Sequence, residues 1–332
     1  MKIIVPMAGR GSRLRPHTLT VPKPLVPIAG KPIVQRLVEN IASVCGKKVT
    51  EIAFVIGDFG DIVEAQLHKI ASSLNAKCSI YHQNEALGTA HAILCAKDAL
   101  EGPLVVAFAD TLFRADFTLD TEKDGIIWVQ KVKNPKAYGV IKMNDKKLIT
   151  DFIEKPKEFV SDLAIIGIYF FKNGLKLRAE LQYLIDHNIK EKGEFQLTNA
   201  LENMKQKGAE FYPGKVDEWL DCGNPIAAVH ANKRVLEYTP NDEERKGLSI
   251  ENADIIEPCF IGESVKLKNC TIGPHVSIGN NTRITNSKIK NTIIQNNTTI
   301  IDADIEDSMI GNYVEYQGGK KNISIGDYSK IG

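Results

Sequence analysis

The sequence predicts an α/β protein: a mostly parallel sheet with helices on both sides, followed by a short parallel β-helix. Three observations predict it. From Met1 to about Tyr238, short apolar runs alternate with helical patterns. That order is expected when helices cover both faces of a parallel sheet. From Thr239 to Gly247 the chain reads TPNDEERKG, charged, with Pro and Gly and no apolar period. This stretch marks a linker. From about Leu248 onward isoleucine recurs every five or six residues, at Ile261, Ile272, Ile278, Ile284, Ile289, Ile294, Ile300, Ile305 and Ile310, with Leu267 filling the one wide gap. Such a hexapeptide-type repeat points one aliphatic side chain inward per short side, and three steps make a coil of about sixteen or seventeen residues. The expected organisation is therefore 1–238, a linker over 239–247, and a β-helix over 248–332.

Individual elements follow from local patterns. Buried strands are expected at Ile3-Ile4-Val5, Ile52 to Ile56, Leu104 to Phe108, Ile126 to Val129 and Ile166 to Phe171. A helix is expected from Pro32, where a missing N–H costs nothing. Ile33, Leu37, Val38 and Ile41 share one helical face, and Ile62, Ala65 and Ile70 are read as another. In sheets of this kind ligands sit beyond the carboxyl ends of the strands.

The totals exclude several classes. The chain has 332 residues and a formal net charge of +1. A nucleic-acid or membrane partner bound through a general basic field is not expected. No apolar run reaches the length of a membrane span, and the N-terminus lacks a signal-peptide core. The six cysteines (Cys45, Cys78, Cys95, Cys222, Cys259, Cys270) form no CxxC pair. They read as reduced thiols of a cytoplasmic protein. The seven histidines are scattered and suggest no metal cluster.

The chemistry concentrates after the first strand. Ala8, Gly9 and Gly11 bring backbone N–H groups close, while Arg10, Arg13, Arg15 and Lys23 supply charge. A strand feeding a glycine loop and then cations is a device for holding polyphosphate. It is not a GxxxxGK[ST] loop, and Leu14 stands where GxGxxG needs a glycine. The string GRGSRLRPHTLTVPKPLVPI resembles the signature of the sugar-1-phosphate nucleotidyltransferases. Arg10 departs from a glycine there, and Ser12 replaces a threonine while keeping the hydroxyl.

That resemblance implies a Rossmann-like nucleotidyltransferase domain followed by a short left-handed β-helix. It also implies roles for later segments. In QNEALGTAHAI, Gln83 and Gly88 match the family's base-reading pair, with Leu87 and Thr89 beside them. An amide offers one donor and one acceptor, which suits a uracil or thymine edge. Asp110 closes the run LVVAF, and Asp221 lies in EWLDCG. The resemblance makes these two the ligands of Mg²⁺, an ion that takes few protein carboxylates and completes its shell with phosphates and water. Tyr138 and Gly139, Glu154 and Lys155, and Gly167 resemble the sugar-phosphate side, and Glu194 to Thr198 resembles a further segment there.

The implied reaction is attack by a sugar 1-phosphate on the α-phosphorus of a nucleoside triphosphate, with pyrophosphate leaving. The nucleophile is already an anion, so no triad is needed. Arg13, Lys23 and Lys155 are the expected catalytic cations. The whole chain looks most like long-form glucose-1-phosphate thymidylyltransferases, using dTTP. UTP with glucose or N-acetylglucosamine 1-phosphate, and GTP with mannose 1-phosphate, are the alternatives. A non-catalytic sugar-nucleotide regulatory subunit and a bifunctional acyltransferase are readings from other classes. The latter needs a longer β-helix and usually a loop histidine, and only His275 lies in the repeats. The expected partners are the two substrates and further copies of the chain.

Overall fold

The computed structural model describes residues 1–9, 11–116, 118–239 and 245–331. Arg10 and positions 240–244 of the expected linker lie outside the described residues. In chain order, strand β1 (Lys2–Pro6) precedes the hairpin strands β2 (Pro27–Ile28) and β3 (Lys31–Pro32) and helix α1 (Ile33–Val44). Then come β4 (Glu51–Ile56), α2 (Asp61–Ser73), β5 (Lys77–His82), α3 (Thr89–Cys95) and β6 (Leu104–Ala107). Five strands follow, joined by loops: β7 (Thr111–Arg114), β8 (Gly125–Lys131), β9 (Val140–Met143), β10 (Ile149–Ile153) and β11 (Leu163–Phe171). Next are α4 (Gly174–Asp186), α5 (Leu197–Gln206), β12 (Phe211–Lys215), β13 (Glu218–Asp221) and α6 (Pro225–Tyr238). The chain forms two compact units, Met1–Gly9 with Leu37–Trp219, and Arg10–Arg36 with Leu220–Gly332.

The first unit is built on a sheet ordered β10-β9-β11-β6-β1-β4-β5, with β8 along β11 and β12 along β8. β1 pairs parallel to β4 and β6, and β4 pairs parallel to β5. This is the half whose strands alternate with helices, and the crossover helices enforce the parallel direction. From β6 to β11 the connections carry no α-helix among the described residues, and β8, β9 and β10 join through antiparallel pairs with β11 or each other. The sheet is therefore mixed. Ile3, Ile4, Val5 and Phe54 are fully buried in it.

On α1 the residues Ile33, Leu37, Val38 and Ile41 are buried, as their spacing requires. The helix starts at Ile33, while Pro32 closes the hairpin opposite Pro27. On α2 the expected face is wrong. Ile62 is 86 % exposed and Ala65 is exposed, and the buried stripe is Val63, Leu67, Ile70 and Ala71. That stripe follows i, i+4, i+7, i+8, the true helical period, and Ile62 falls on the opposite side.

The second unit contains a parallel β-helix. Lys266 pairs with Arg283, Arg283 with Thr299 and Thr299 with Glu315, giving coils of seventeen, sixteen and sixteen residues. Side chains stack in register as columns. One runs Leu267, Ile284, Ile300, Tyr316; another runs Ile278, Ile294, Ile310, Ile325. Every member is buried. One corner column is Asn252, Asn269, Asn286 and Asp302, all with φ near +50°. Asn tolerates this conformation because its side chain bonds locally. Here the amides instead form a ladder, each donating to the next at 2.9, 3.2 and 3.0 Å. Gly262 and Gly279 stand where the following coil presses close. A Cβ on Gly262 would collide with Asn280, and one on Gly279 with Asn296.

Segment 11–36 packs on this β-helix within the same unit. Pro16 lies against Gly326, and Phe260 fills the space over Gly30. The Thr20 hydroxyl bonds Asp327, and His17 Nε2 lies 3.0 Å from Ser324 Oγ. From α6, Asn232 Oδ1 accepts from Ala29 N–H and Ser277 Oγ, while Asn232 Nδ2 donates to His275 O. His17 is fully buried and its Nδ1 finds no partner among the described residues. Burial pulls its pKa from 6.5 down to about 4, against a smaller upward pull from Asp327. The unfolded chain therefore takes a proton near pH 6.5 that the folded chain refuses until about pH 4. Stability should fall by about 2–3 kcal/mol as pH drops through that window. His17→Gln should flatten this part of the profile in urea titrations. An unchanged pH slope in the variant would contradict the assignment.

Candidate active site

From Gly11 onward the glycine-and-cation loop lies in the second unit. Gly11 adopts φ +63°, and a Cβ there would stand 2.6 Å from Lys23 Cβ. Only glycine lets the Lys23 stem pass so closely, and Lys23 is itself buried. Ser12–Leu14 forms one tight turn, with Leu14 N–H donating to Gly11 O at 3.0 Å and Thr18 Oγ1 donating to the same oxygen at 2.9 Å. Leu14 is buried and anchors the turn, which leaves Ser12 and Arg13 exposed. Asp221 closes β13 in this unit. Its Oδ1 lies 2.8 Å from where a Cβ on Gly223 would stand, so the missing side chain makes room for the carboxylate. Ala8 and Gly9 end the described part of the loop in the first unit, after Met7 N–H donates to Val55 O.

The segment after β5 belongs to the first unit. Gln83 continues β5 by donating its backbone N–H to Ile56 O at 2.8 Å. Its side-chain Nε2 lies 3.2 Å from Gly88 O and 3.1 Å from His91 Nδ1. Gly88 has φ +113°, and a Cβ there would sit 2.5 Å from Phe195 O. The reason is a close backbone seam: Phe195 N–H donates to Leu87 O and Ala90 N–H to Phe195 O. Thr89 Oγ1 donates to Gln196 Oε1 at 3.2 Å and accepts from Leu197 N–H at 2.9 Å. Thr89 thus caps α5 from a neighbouring helix. The residues 194–198 are the scaffold of the loop 83–89, a role no local pattern reveals.

A third group gathers along β11. This strand pairs with β8 on one edge. On the other it meets β9 at Ala164 and β6 from Ile168 to Phe171. The change of partner falls at Gly167, with φ +85°. There Phe108 N–H donates to Gly167 O at 2.9 Å and Thr111 Oγ1 donates to Ile166 O at 2.8 Å. The turn carrying Asp110 is thereby tied to β11. Two residues away, Ile165 N–H donates to Gly139 O at 2.8 Å, and Lys155 N–H donates to Tyr138 O at 3.2 Å. Asp110, Tyr138, Gly139, Glu154, Lys155 and Gly167 therefore belong to one hydrogen-bonded assembly.

Within it, the Glu154 carboxylate lies over Gly139, 3.1 Å from where a Cβ would stand. Lys155 Nζ is 3.5 Å from Glu154 Oε1, with Glu154 mostly buried and Lys155 half-exposed. Lys155 has φ +42°, a strained conformation for a side chain of this kind. Tyr138 meets Trp219 edge to face, with ring centroids 5.1 Å apart. Lys192 donates to the backbone oxygens of Glu154 and Lys155 at 3.3 and 3.0 Å. It is a second cation beside the pair, and sequence reasoning missed it because no spacing links it to EKP.

The profile of the nucleotidyl transferase family matches residues 2–238. The chain belongs to the nucleotidyl transferase family. A glucose-1-phosphate thymidylyltransferase of Streptomyces antibioticus is 28 % identical over 361 residues, covering 100 % of this chain and 99 % of the relative. The bifunctional protein GlmU of Methanocaldococcus jannaschii is 30 % identical over 336 residues, covering 94 % of this chain and 78 % of the relative. The solved UDP-glucose pyrophosphorylase complexed with UDP-glucose shares the fold, with a TM-score of 0.60 over 72 % of this chain and 99 % of that one, at 24 % identity.

In this nucleotidyl transferase the seam at Gly88 makes a direct test. Gly88→Ala combines positive φ with overlap against backbone, and should cost about 2–4 kcal/mol of stability. Thermal unfolding checks this, and an unshifted transition would show that the loop 83–89 is not held by Phe195.

Proposed function

We propose that the chain is a sugar-1-phosphate nucleotidyltransferase that makes an NDP-sugar and pyrophosphate, with dTTP and glucose 1-phosphate as the preferred pair. The observation that carries the pyrimidine half is Gln83, whose Oε1 takes no hydrogen bond from the protein among the described residues while its Nε2 is engaged inside. A lone acceptor suits the ring N–H of thymine or uracil. The whole-length thymidylyltransferase relative supports thymine. The GlmU relative favours UTP as the second reading.

Arg13 and Lys23 neutralise the triphosphate, and the exposed Arg13 assists pyrophosphate departure. Lys155 receives the sugar phosphate, and Glu154 accepts hydrogen bonds from sugar hydroxyls. Gly139 leaves the ring a side free of Cβ, and Tyr138 and Gly167 shape the same region. Leu87 and Thr89 hold the base loop, and Ala8, Gly9, Gly11 and Ser12 supply backbone and hydroxyl donors to the phosphates. Asp110 and Asp221 are part-exposed carboxylates at strand ends, and these hard oxygen donors fit Mg²⁺. When bound, that ion would neutralise phosphate charge. Residues 1–238 carry the chemistry in this reading, 239–247 link, and 248–332 form an assembly or regulatory surface of a cytoplasmic homo-oligomer.

The test is a matrix of common nucleoside triphosphates against glucose, mannose and N-acetylglucosamine 1-phosphates, read by pyrophosphate release. The pair dTTP and glucose 1-phosphate should be turned over fastest. Sugar-nucleotide binding with no pyrophosphate from any pair would make the protein a regulator instead. In the active pair, Arg13→Ala should lower turnover by about 10²–10³, or roughly 3–4 kcal/mol. Normal turnover in that variant would remove Arg13 from the reaction.

A further inference from the structure

An amide side chain reads a base by which end it presents. Rotating Gln83 by half a turn would exchange its carbonyl for its NH₂ group, turning an acceptor into a donor. The neighbours decide between these states. Gly88 O can only accept, and it is held in place because it also accepts Ala92 N–H as the first turn of α3 forms. The atom of Gln83 that faces it must therefore be Nε2, at 3.2 Å. The same nitrogen faces His91 Nδ1 at 3.1 Å. An NH₂ group has two hydrogens, and these two acceptors use both. His91 can accept at Nδ1 only as a neutral ring with its proton on Nε2. Burial favours that neutral form, lowering the His91 pKa against an upward pull from Glu85.

We propose that His91 is a positioning residue that sets base choice by holding the Gln83 carbonyl outward; this rests on the reading that Gln83 contacts the base. With both N–H groups spent, the side chain offers the base an acceptor alone, narrower than the donor-and-acceptor pair expected from its sequence. An outward Oε1 pairs with N3–H of uracil or thymine. It repels the N3 lone pair of cytosine. Without His91, one N–H of Gln83 loses its internal partner, only Gly88 O still opposes the inverted amide, and the population of that amide rises. The enzyme then discriminates less between the two pyrimidine types. His91 itself does not touch the base in this scheme.

The probes are dTTP and 5-methyl-dCTP, which share the methyl group and differ only at the pairing edge. The reading is the ratio of their kcat/KM values with a fixed sugar 1-phosphate, with UTP and CTP as a second pair. His91→Leu should reduce the preference for the N3–H base by about 5- to 20-fold, the scale of one unsatisfied buried donor. His91→Asn, whose Oδ1 can accept from Gln83 Nε2, should restore most of it. Gln83→Ala should abolish the preference. If His91→Leu keeps the full preference while Gln83→Ala loses it, the positioning role is overturned and base reading by Gln83 stands. If Gln83→Ala also keeps it, base reading fails and the role of His91 falls with it.

Discussion

The first unit depends on one strand that changes partners half-way. Because β11 leaves β9 and joins β6 at Gly167, its backbone polar groups at the break cannot all be paired by a regular ladder. Phe108 N–H and the Thr111 hydroxyl meet them instead. Backbone groups buried without partners are costly, so this substitution is compulsory. Its consequence is spatial. The turn holding Asp110 and the segments holding Gly139, Glu154 and Lys155 are fixed to the same few residues, 165–167. At Gly167 the positive φ lets the strand change partners, whereas at Gly88 the missing Cβ permits the close backbone seam that holds the loop 83–89.

The second unit solves a different problem. A β-helix of a few coils buries its aliphatic columns by stacking, and each coil depends on its neighbours. Here segment 11–36 and α6 pack along it, through Gly30 under Phe260 and through Asn232, whose amide serves Ala29, Ser277 and His275. The loop with Arg13 and Lys23 therefore shares a folding unit with the C-terminal coils. Changes in the coils that bear His17 and Thr20 contacts, at Ser324 and Asp327, reach that loop through direct bonds.

Much of this was legible in the sequence, for physical reasons. The isoleucine steps gave the coil length, because inward positions accept only apolar side chains and recur with the coil. The parallel half of the main sheet was legible because helices separate its strands. The antiparallel half was not, since short loops say nothing about which strand lies alongside. Ile62 misled because one exposed isoleucine looks like part of a buried stripe. Gly167 was read as a sugar contact, and its role as the break in β11 needed the pairing partners. Lys192 and His91 escaped, and 194–198 was read for the sugar side and not as the scaffold of the loop 83–89, because these residues act on backbone atoms or on another side chain, and such roles leave no spacing pattern. The packing of 11–36 on the β-helix joins residues as far as 307 positions apart and was equally invisible.

The most direct measurement of the account is kinetics of Gly167→Ala. A Cβ there would meet Phe108 Cβ at 3.5 Å and Phe108 Cδ2 and Thr111 Oγ1 at 3.6 Å, all ordinary contacts, so the change acts through the backbone at φ +85°. If the break in β11 positions both the turn of Asp110 and the segment of Glu154 and Lys155, and these carry the proposed Mg²⁺ and sugar-phosphate roles, the KM for sugar 1-phosphate and the Mg²⁺ concentration for half-maximal activity should rise together, while the choice of base is retained. A variant in which neither rises, or only one does, would contradict it.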